Sequence, residues 1–493
     1  MKILLICKGE YRYFFPAIAR SLRERLGADV SAISFTTAAT ALLDKTGGFS
    51  SIFNLAGWLK RRVPAITPKE SFDIVEELEG LNGAPRINTI IHADRIISRY
   101  PHSKILAIVA AISEFWVEVL STYQPDVILG EVACAAEWIG WLKAREHGIR
   151  YLIPSATPVA NRFYFLHAPD GGWERMEHAF RALENRRLTS QEAIIAEQFI
   201  ANFRASRTKP PFLNWAQGSP LKPEFARFVR RIARIPFRLK TYLQDGEFEV
   251  GSYHGTVPWK PLFEDIIRIA RHAVAETAFL AHVKRTESPF VYFPLHVQPE
   301  FTTDVRAPLF TNQIALVENI SKSLPAGYEL IVKEHPGMKG ERALADCRAV
   351  KKIFNVRLLS PSMDSHELIR QSAAVLTITG SSAWEAILYE KPVIAFGPLY
   401  YGFSGLTYSC EALTDPPATL SRALHGFAPD HERLLKFVVA FLATAHSLQW
   451  GDPIRQPEIM KKDNVDKVAD AIVYELRSQA PGHVALERIP VNA

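Results

Sequence analysis

Two short polar clusters stand where apolar runs of the chain stop. In YELIVKEHPGMKG the run ends in Lys333-Glu334-His335-Pro336, and Pro336 closes it because proline cannot donate to a strand ladder. In VLTITGSSAWEAILYE the run ends at Gly380, and Ser381 and Ser382 open a helical pattern. Glycine lets a backbone approach a ligand closely. The first amides of a helix are unpaired and favour an anion, and two hydroxyls add donors. Gly380-Ser381-Ser382 therefore reads as a phosphate site, with a plain serine N-cap as the other reading. The imidazole of His335, held at the end of a neighbouring run, could donate to that phosphate or to a departing nucleotide. Lys333 would add positive charge or only an ion pair. Glu385, one turn into the helix, is placed to meet a ribose hydroxyl or simply to complement the helix dipole.

Such residues need elements to hold them. The first 165 residues alternate apolar runs such as KILLIC, ADVSAISF and PDVILGE with helical patterns such as FFPAIARSLRERLG and ACAAEWIGWLKAREHG. That alternation means βαβ units and a parallel sheet. Residues 170–285 are helix-rich and charged, with the loop TKPPFLNWAQGSPLKP inside. A second alternation follows through FVYFPL, YELIVKEHP, VRLLSP, LTITG and PVIAFG, and VDKVADAIVYELRS is a late helix. The expected fold is α/β of GT-B type, with two Rossmann-like doubly wound domains facing a cleft, a helical middle segment and a C-terminal helix. The expected bounds are 1–235 for an N-terminal acceptor domain, 236–285 for a helical hinge or insertion, 286–452 for a nucleotide-sugar donor domain, and 453–493 for the final helix and tail. Nonhydrolysing sugar epimerases and periplasmic-type binding proteins share this pattern, so it fixes fold better than function. In open α/β sheets ligands bind beyond the carboxyl ends of strands, which is where both polar clusters fall. The sequence has no internal repeat and no low-complexity segment.

The segments FPLHVQPEFTT, VKEHP and TGSSAWEAILYEKPVIAFG are similar to capsular polysaccharide biosynthesis proteins. The His-Pro and Ser-Ser motifs resemble those of bacterial transferases using CMP-activated ulosonic acids, including several sialyltransferases and the retaining β-Kdo transferases of capsule and lipopolysaccharide assembly. The resemblance is best over residues 288–405. It implies that His335 and Ser381-Ser382 hold the CMP phosphate and that the loop near Gly397 faces the cytidine. It also implies a CMP-Kdo donor, a glycan or lipid-linked glycan acceptor, and no cofactor. CMP leaves as a phosphate monoester whose charge oriented donors can stabilise, so no metal is expected. No DxD or HxH cluster stands in a plausible donor loop.

Transfer with retention can use a carboxylate nucleophile. Glu131, in PDVILGEVACAAEW, follows Gly130 at the end of a buried run, where partial burial would raise its pKa; a helix-start acid meeting the dipole is the alternative. His296 and Glu300 in PLHVQPE lie past the first strand of the second domain. There His296 could pair with the sugar carboxylate or orient the nucleophile, or be a hydrogen-bonded loop histidine. Many related transferases carry an acidic pair before glycine late in the first domain, whereas IPSATPVANRF has no acid. Asp245 of LQDGEF could replace that pair or belong to an ordinary turn. Gly9 and Glu10, after the first run, are placed to line the acceptor side.

Bulk properties set outer limits. A chain of 493 residues implies two or three domains. Its formal charge of +6 is scattered and argues only weakly for anionic ligands or a membrane surface. There is no arginine-rich arm, so nucleic acid is not an expected partner. Cys7, Cys134, Cys347 and Cys410 lie far apart, which reads as reduced and structural. MKILLIC is too short for a signal-peptide core, and ILAIVAAISEFWVEVL is interrupted by Glu114 and Glu118. The expected location is cytoplasmic. The basic stretch FARFVRRIARIPFRLK is either a peripheral contact with the inner membrane or an assembly partner, or a solvated helix face. Two other functions stay open at this point: a transferase using a UDP- or GDP-sugar, and a non-catalytic nucleotide-sugar-binding subunit of a polysaccharide assembly complex.

Overall fold

The computed structural model describes residues 1–81, 83–207, 229, 232–248, 250, 257–281, 288–412 and 414–477. The loop at 208–223, part of the basic stretch at 225–240, and the tail from 478 onward lie outside the described residues. Two sheets organise the rest. The first contains β1 (Lys2–Cys7), β2 (Asp29–Ser34), β3 (Ile52–Asn54), β4 (Val127–Leu129), β5 (Arg150–Ala156), β6 (Arg162–Leu166) and β13 (His446–Ser447), in the order β3-β2-β1-β4-β5-β6-β13. It is parallel from β3 to β5 and antiparallel across β6 and β13. The second contains β7 (Phe290–Pro294), β8 (Glu329–Lys333), β9 (Val356–Leu359), β10 (Ala374–Thr377), β11 (Val393–Ala395) and β12 (Tyr408–Ser409), all parallel, in the order β9-β8-β7-β10-β11-β12. Strands such as β1, β4 and β10 are apolar but for an end residue, Lys2 or Thr377, because helices cover both of their faces. In each sheet the strand order reverses beside the first strand, at β1/β4 and at β7/β10. That switch point is where an open α/β sheet leaves a crevice for ligands.

Segments that connect the strands of the two sheets meet. Arg95 Nε donates to Pro299 O at 2.9 Å, and Trp138 stacks on Phe301 at 6.1 Å. This is the GT-B arrangement of two doubly wound domains across a seam.

The domain bounds differ from the sequence reading in one respect. Residues up to 452 were expected with the second domain, yet the helix His431–Thr444 packs on the helices Glu174–Glu184 and Ser190–Ser206. Tyr164 and Thr444 share a hydroxyl bond of 2.7 Å, and β13 extends the first sheet by pairing with β6. The last described helix, Lys462–Arg477, lies on Tyr11–Leu26, with Arg25 paired to Asp466 at 3.1 Å and to Asp470. The chain therefore returns to its first domain from residue 431 onward. The middle segment also divides: Ile235–Asp245 packs on first-domain helices, whereas Lys260–Ala278 leads into Ala281, which bridges Leu359 of the second sheet.

Aromatic rings fill the seam. Trp173 stacks on Tyr164 at 4.9 Å and on Tyr400 at 5.7 Å, and Trp384 packs on Phe441 at 4.7 Å. Among the described residues one helix, His102–Tyr123, has the length and apolar composition to cross a membrane. It packs against Pro68–Gly80 and Ala135–Glu146, and its Glu114 is paired to Arg62 at 2.7 Å.

Candidate functional site

The strand ends at the second switch point bring His296, His335, Gly380, Ser381 and Ser382 together. His296 follows β7 and is 8% exposed. Its backbone amide donates to Gln313 Oε1 at 2.7 Å, which fixes the loop. Nε2 faces the turn after β10, where the Thr379 amide donates to it at 3.4 Å and the Thr377 hydroxyl lies at 3.2 Å. The Gly380 amide in turn donates to Thr377 Oγ1 at 2.9 Å. A Cβ on residue 380 would stand 2.8 Å from His296 Nε2, so glycine is required by the histidine packed beneath it.

His335 caps the short 3-10 turn Pro336–Met338, where its Nδ1 accepts from the Gly337 amide at 2.9 Å. Both rings are neutral near pH 7. Burial, and then the neighbouring His335, lowers the His296 pKa to about 3. Burial, and then Lys333, lowers that of His335 to about 4. The accepting nitrogens fix the tautomers: His296 carries its proton on Nδ1 and His335 on Nε2. Among the described residues His296 Nδ1 and Ser382 Oγ have no hydrogen-bond partner. The site thus offers two uncharged N–H groups and a hydroxyl.

The polar end of β8 is accounted for residue by residue. Lys333 Nζ donates to Ser365 Oγ at 2.7 Å, and buried Glu334 accepts from Arg342 Nε at 2.5 Å and from the His335 amide at 2.9 Å. The ion pair and the amide bond hold the imidazole in place.

The helix Ser382–Leu388 has seven residues, with Ser381 at its N-cap position. One expectation here is revised. Glu385 lies inside, beside Tyr292, Tyr389 and Tyr401, and is not turned toward a ribose. Gly397 packs against Ala307 and Thr379, where a Cβ would stand 2.7 Å from Ala307 Cβ.

The first switch point holds a second constellation. Glu131 follows β4, and its Oε1 accepts a short hydrogen bond from the Tyr11 hydroxyl, which itself accepts from Trp450 Nε1 at 3.0 Å. Lys8, the residue after β1, donates from Nζ to Glu137 Oε2 at 2.7 Å and stands 3.9 Å from Glu131 Oε2. Glu137 Oε2 also accepts from the Ala133 amide at 2.7 Å, and its Oε1 has no partner among the described residues. The Glu131 side chain is 32% exposed. Desolvation raises its pKa, Glu137 adds to the rise, and Lys8 and the Tyr11 bond oppose it. Gly9, in the left-handed region at φ +55°, and Glu10 are exposed at the same rim. Glu300 sits at the seam, where burial raises its pKa and Arg95 opposes the rise.

Asp245 is a correction. It is 1% exposed, and its carboxylate accepts from the Thr37 amide at 3.0 and 3.2 Å and from the Thr37 hydroxyl. It ties the end of Ile235–Asp245 to the start of Thr37–Thr46 and offers no free oxygen pair for attack. Sequence reasoning missed Lys8, Tyr11, Glu137 and Trp450. The first two stand in CKGEYRYF beside Gly9 and Glu10 and share their strand-end position; Trp450 carries no local signal.

Residues 266–419, roughly a third of the chain, match the model of a family described as capsule polysaccharide biosynthesis protein. Over that segment the chain is similar to that family. The matched segment contains β7 to β12 and the His296, His335 and Ser382 cluster. No curated protein sequence matches the chain. Among solved structures, the chain is similar to the β-Kdo 2,4 transferase of Thermosulfurimonas dismutans KpsC, at 13% identity and a TM-score of 0.36 over 64% of this chain and 79% of that one. It is similar to the β-Kdo 2,7 transferase of the same KpsC, at 9% identity and a TM-score of 0.32 over 74% and 90%. A UDP-GlcNAc 2-epimerase of Methanocaldococcus jannaschii follows at 12% identity and a TM-score of 0.30 over 96% and 100%. Superpositions this loose assign no residue a role.

Proposed function

We propose that this chain is a glycosyltransferase that moves an ulosonic acid, Kdo in the simplest case, from its CMP-activated donor to a bacterial surface-glycan acceptor. The observation that carries the reading is the pair of neutral, tautomer-fixed imidazoles, together with the Ser382 hydroxyl that has no partner among the described residues, at the strand ends of the second sheet. It lies within the segment similar to capsule polysaccharide biosynthesis proteins. The reaction breaks the bond between the sugar's anomeric carbon and the phosphate oxygen of CMP, and the electron pair leaves with the phosphate. The N–H groups of His335 and His296 and the Ser382 hydroxyl are donors for that developing charge. Glu131 is the carboxylate at the facing switch point. Its oxygen attacks the anomeric carbon as CMP leaves, and the acceptor hydroxyl then displaces the carboxylate and gives up its proton to water, which gives retention. Lys8 and Tyr11 oppose the rise in its pKa that desolvation causes, and the Tyr11 hydroxyl orients it. The donor groups carry no metal ligand set, so transfer is expected to proceed without added divalent cation.

Calorimetric titration with CMP, UDP and GDP, without metal, tests the donor. CMP is expected to bind, with His335→Ala and Ser382→Ala each weakening it by roughly 1–3 kcal/mol, the scale of a hydrogen bond to a charged group. Preference for UDP or GDP would move the chain to a diphosphate-sugar transferase. CMP binding without any hydrolysis of CMP-Kdo, and without effect of Glu131→Gln, would instead indicate a non-catalytic subunit.

A further inference from the structure

The helix Lys260–Ala278 is amphipathic in the wrong direction for a helix facing water. After Lys260, which is exposed, its charged side chains turn inward. Asp265 and Arg268, both buried, pair at 3.1 Å. Glu264 lies 3.8 Å from Arg99, Arg271 donates to Glu341 O at 2.8 Å, and Glu276 accepts from Ser360 Oγ at 2.7 Å. Its outward face carries Phe263, Ile266, Ile267, Ile269 and Val274, and from Pro261 to Ala278 no residue of the exposed class is charged. The helix Ile235–Asp245 repeats the inversion, burying Thr241 and Asp245 and exposing Phe237, Leu239 and Leu243. Trp259, Phe263, Ile266, Ile267 and Leu243 are between 53% and 72% exposed. Glu247, just past the second of these helices, meets Lys104 and the Tyr100 hydroxyl, and Glu264 meets Arg99, so both helices converge on the segment 99–104.

We propose that the outward faces of Lys260–Ala278 and Ile235–Asp245 form one docking surface for an anionic lipid bilayer, with Phe263, Ile266, Ile267 and Leu243 entering the interfacial zone. Contiguous apolar surface of this kind marks an interaction site, and charge selects the occupant. The sequence from Arg227 to Lys240 contains Arg and Lys and no acid, and Arg234, Lys240 and Lys260 are exposed beside the apolar stripe. A basic rim around an apolar face fits an anionic membrane. A second copy of the chain would set the same basic rim against itself. The inward side of the same helix reaches the loop that follows His335, where Arg268 Nη1 donates to Lys339 O at 3.4 Å.

The test is flotation of the full chain with vesicles of phosphatidylethanolamine and phosphatidylglycerol, against vesicles of phosphatidylcholine alone. Wild type is expected to float with the anionic vesicles only, and the double variant Phe263→Glu, Ile267→Glu to stay at the bottom with an unchanged melting temperature. Lys240→Glu with Lys260→Glu is expected to weaken flotation as well. The four cysteines are buried, so a nitroxide placed by Ile267→Cys reports depth and should meet a lipid-soluble relaxant when vesicles are added. Wild type that ignores anionic vesicles, a double variant that floats as well as wild type, or a label that stays in water would overturn the proposal. So would light scattering that shows a wild-type dimer reduced to monomers by Phe263→Glu, Ile267→Glu, since the face would then belong to a second copy.

Discussion

At His296 and His335 burial has removed the positive charge and kept the N–H donor, and that has a measurable cost in acid. The folded pKa values of about 3 and about 4 lie below the ordinary imidazole value. As pH falls below about 6.5 the unfolded chain takes up protons that the folded chain refuses. The stability these rings contribute is complete above that pH and is lost as pH falls toward their folded values. Urea unfolding between about pH 7 and 5 should show a loss on the order of 1–2 kcal/mol for each histidine, and His296→Asn should flatten the slope. At the facing site the Tyr11 hydroxyl lowers the Glu131 pKa, so Tyr11→Phe raises it. The acid limb of CMP-Kdo hydrolysis should then move to higher pH, with Trp450→Phe moving it less. The His-Pro and Ser-Ser signals were legible because each lies at one strand end, in consecutive residues. Asp245 was misread because an acid before glycine looks the same in a turn as at a cap for another helix. Its partner Thr37 lies 208 positions away.

At the scale of elements, the βα turn after β10 is held from below by His296, a side chain of the loop that follows the neighbouring strand β7. Gly380→Ala would place a methyl 2.8 Å from His296 Nε2 and 2.9 Å from Thr377 Oγ1. Both side chains are buried and cannot swing aside. Thermal unfolding should show destabilisation of about 1–3 kcal/mol, the usual range for overpacking. CMP affinity should fall in parallel, because the same turn carries Ser381 and Ser382. A variant of full stability and affinity would mean that the turn is looser than these contacts require. The alternation of apolar runs with helical patterns revealed both sheets, since parallel strands covered on two faces leave uninterrupted apolar stretches. The returning strand β13, two residues long, has no such run and left no trace.

At the scale of the molecule, domains joined by a large apolar interface move as one body. Trp173, Tyr400, Trp384 and Phe441 make the seam an extension of the core. Opening it would bring these rings into water, so small-angle scattering should give the same radius of gyration with and without saturating CMP. A clear contraction on binding would show that the domains close. The return of the chain from residue 431 also sets an order of events in synthesis. Domains form as units while the chain emerges, amino end first. Here the first sheet to leave the ribosome must wait for its edge strand, for the helix laid on Tyr11–Leu26, and for the indole that fixes Tyr11. The second sheet can be assembled in the interval. The carboxylate at residue 131 therefore acquires its final neighbours only after the chain has been made through Trp450.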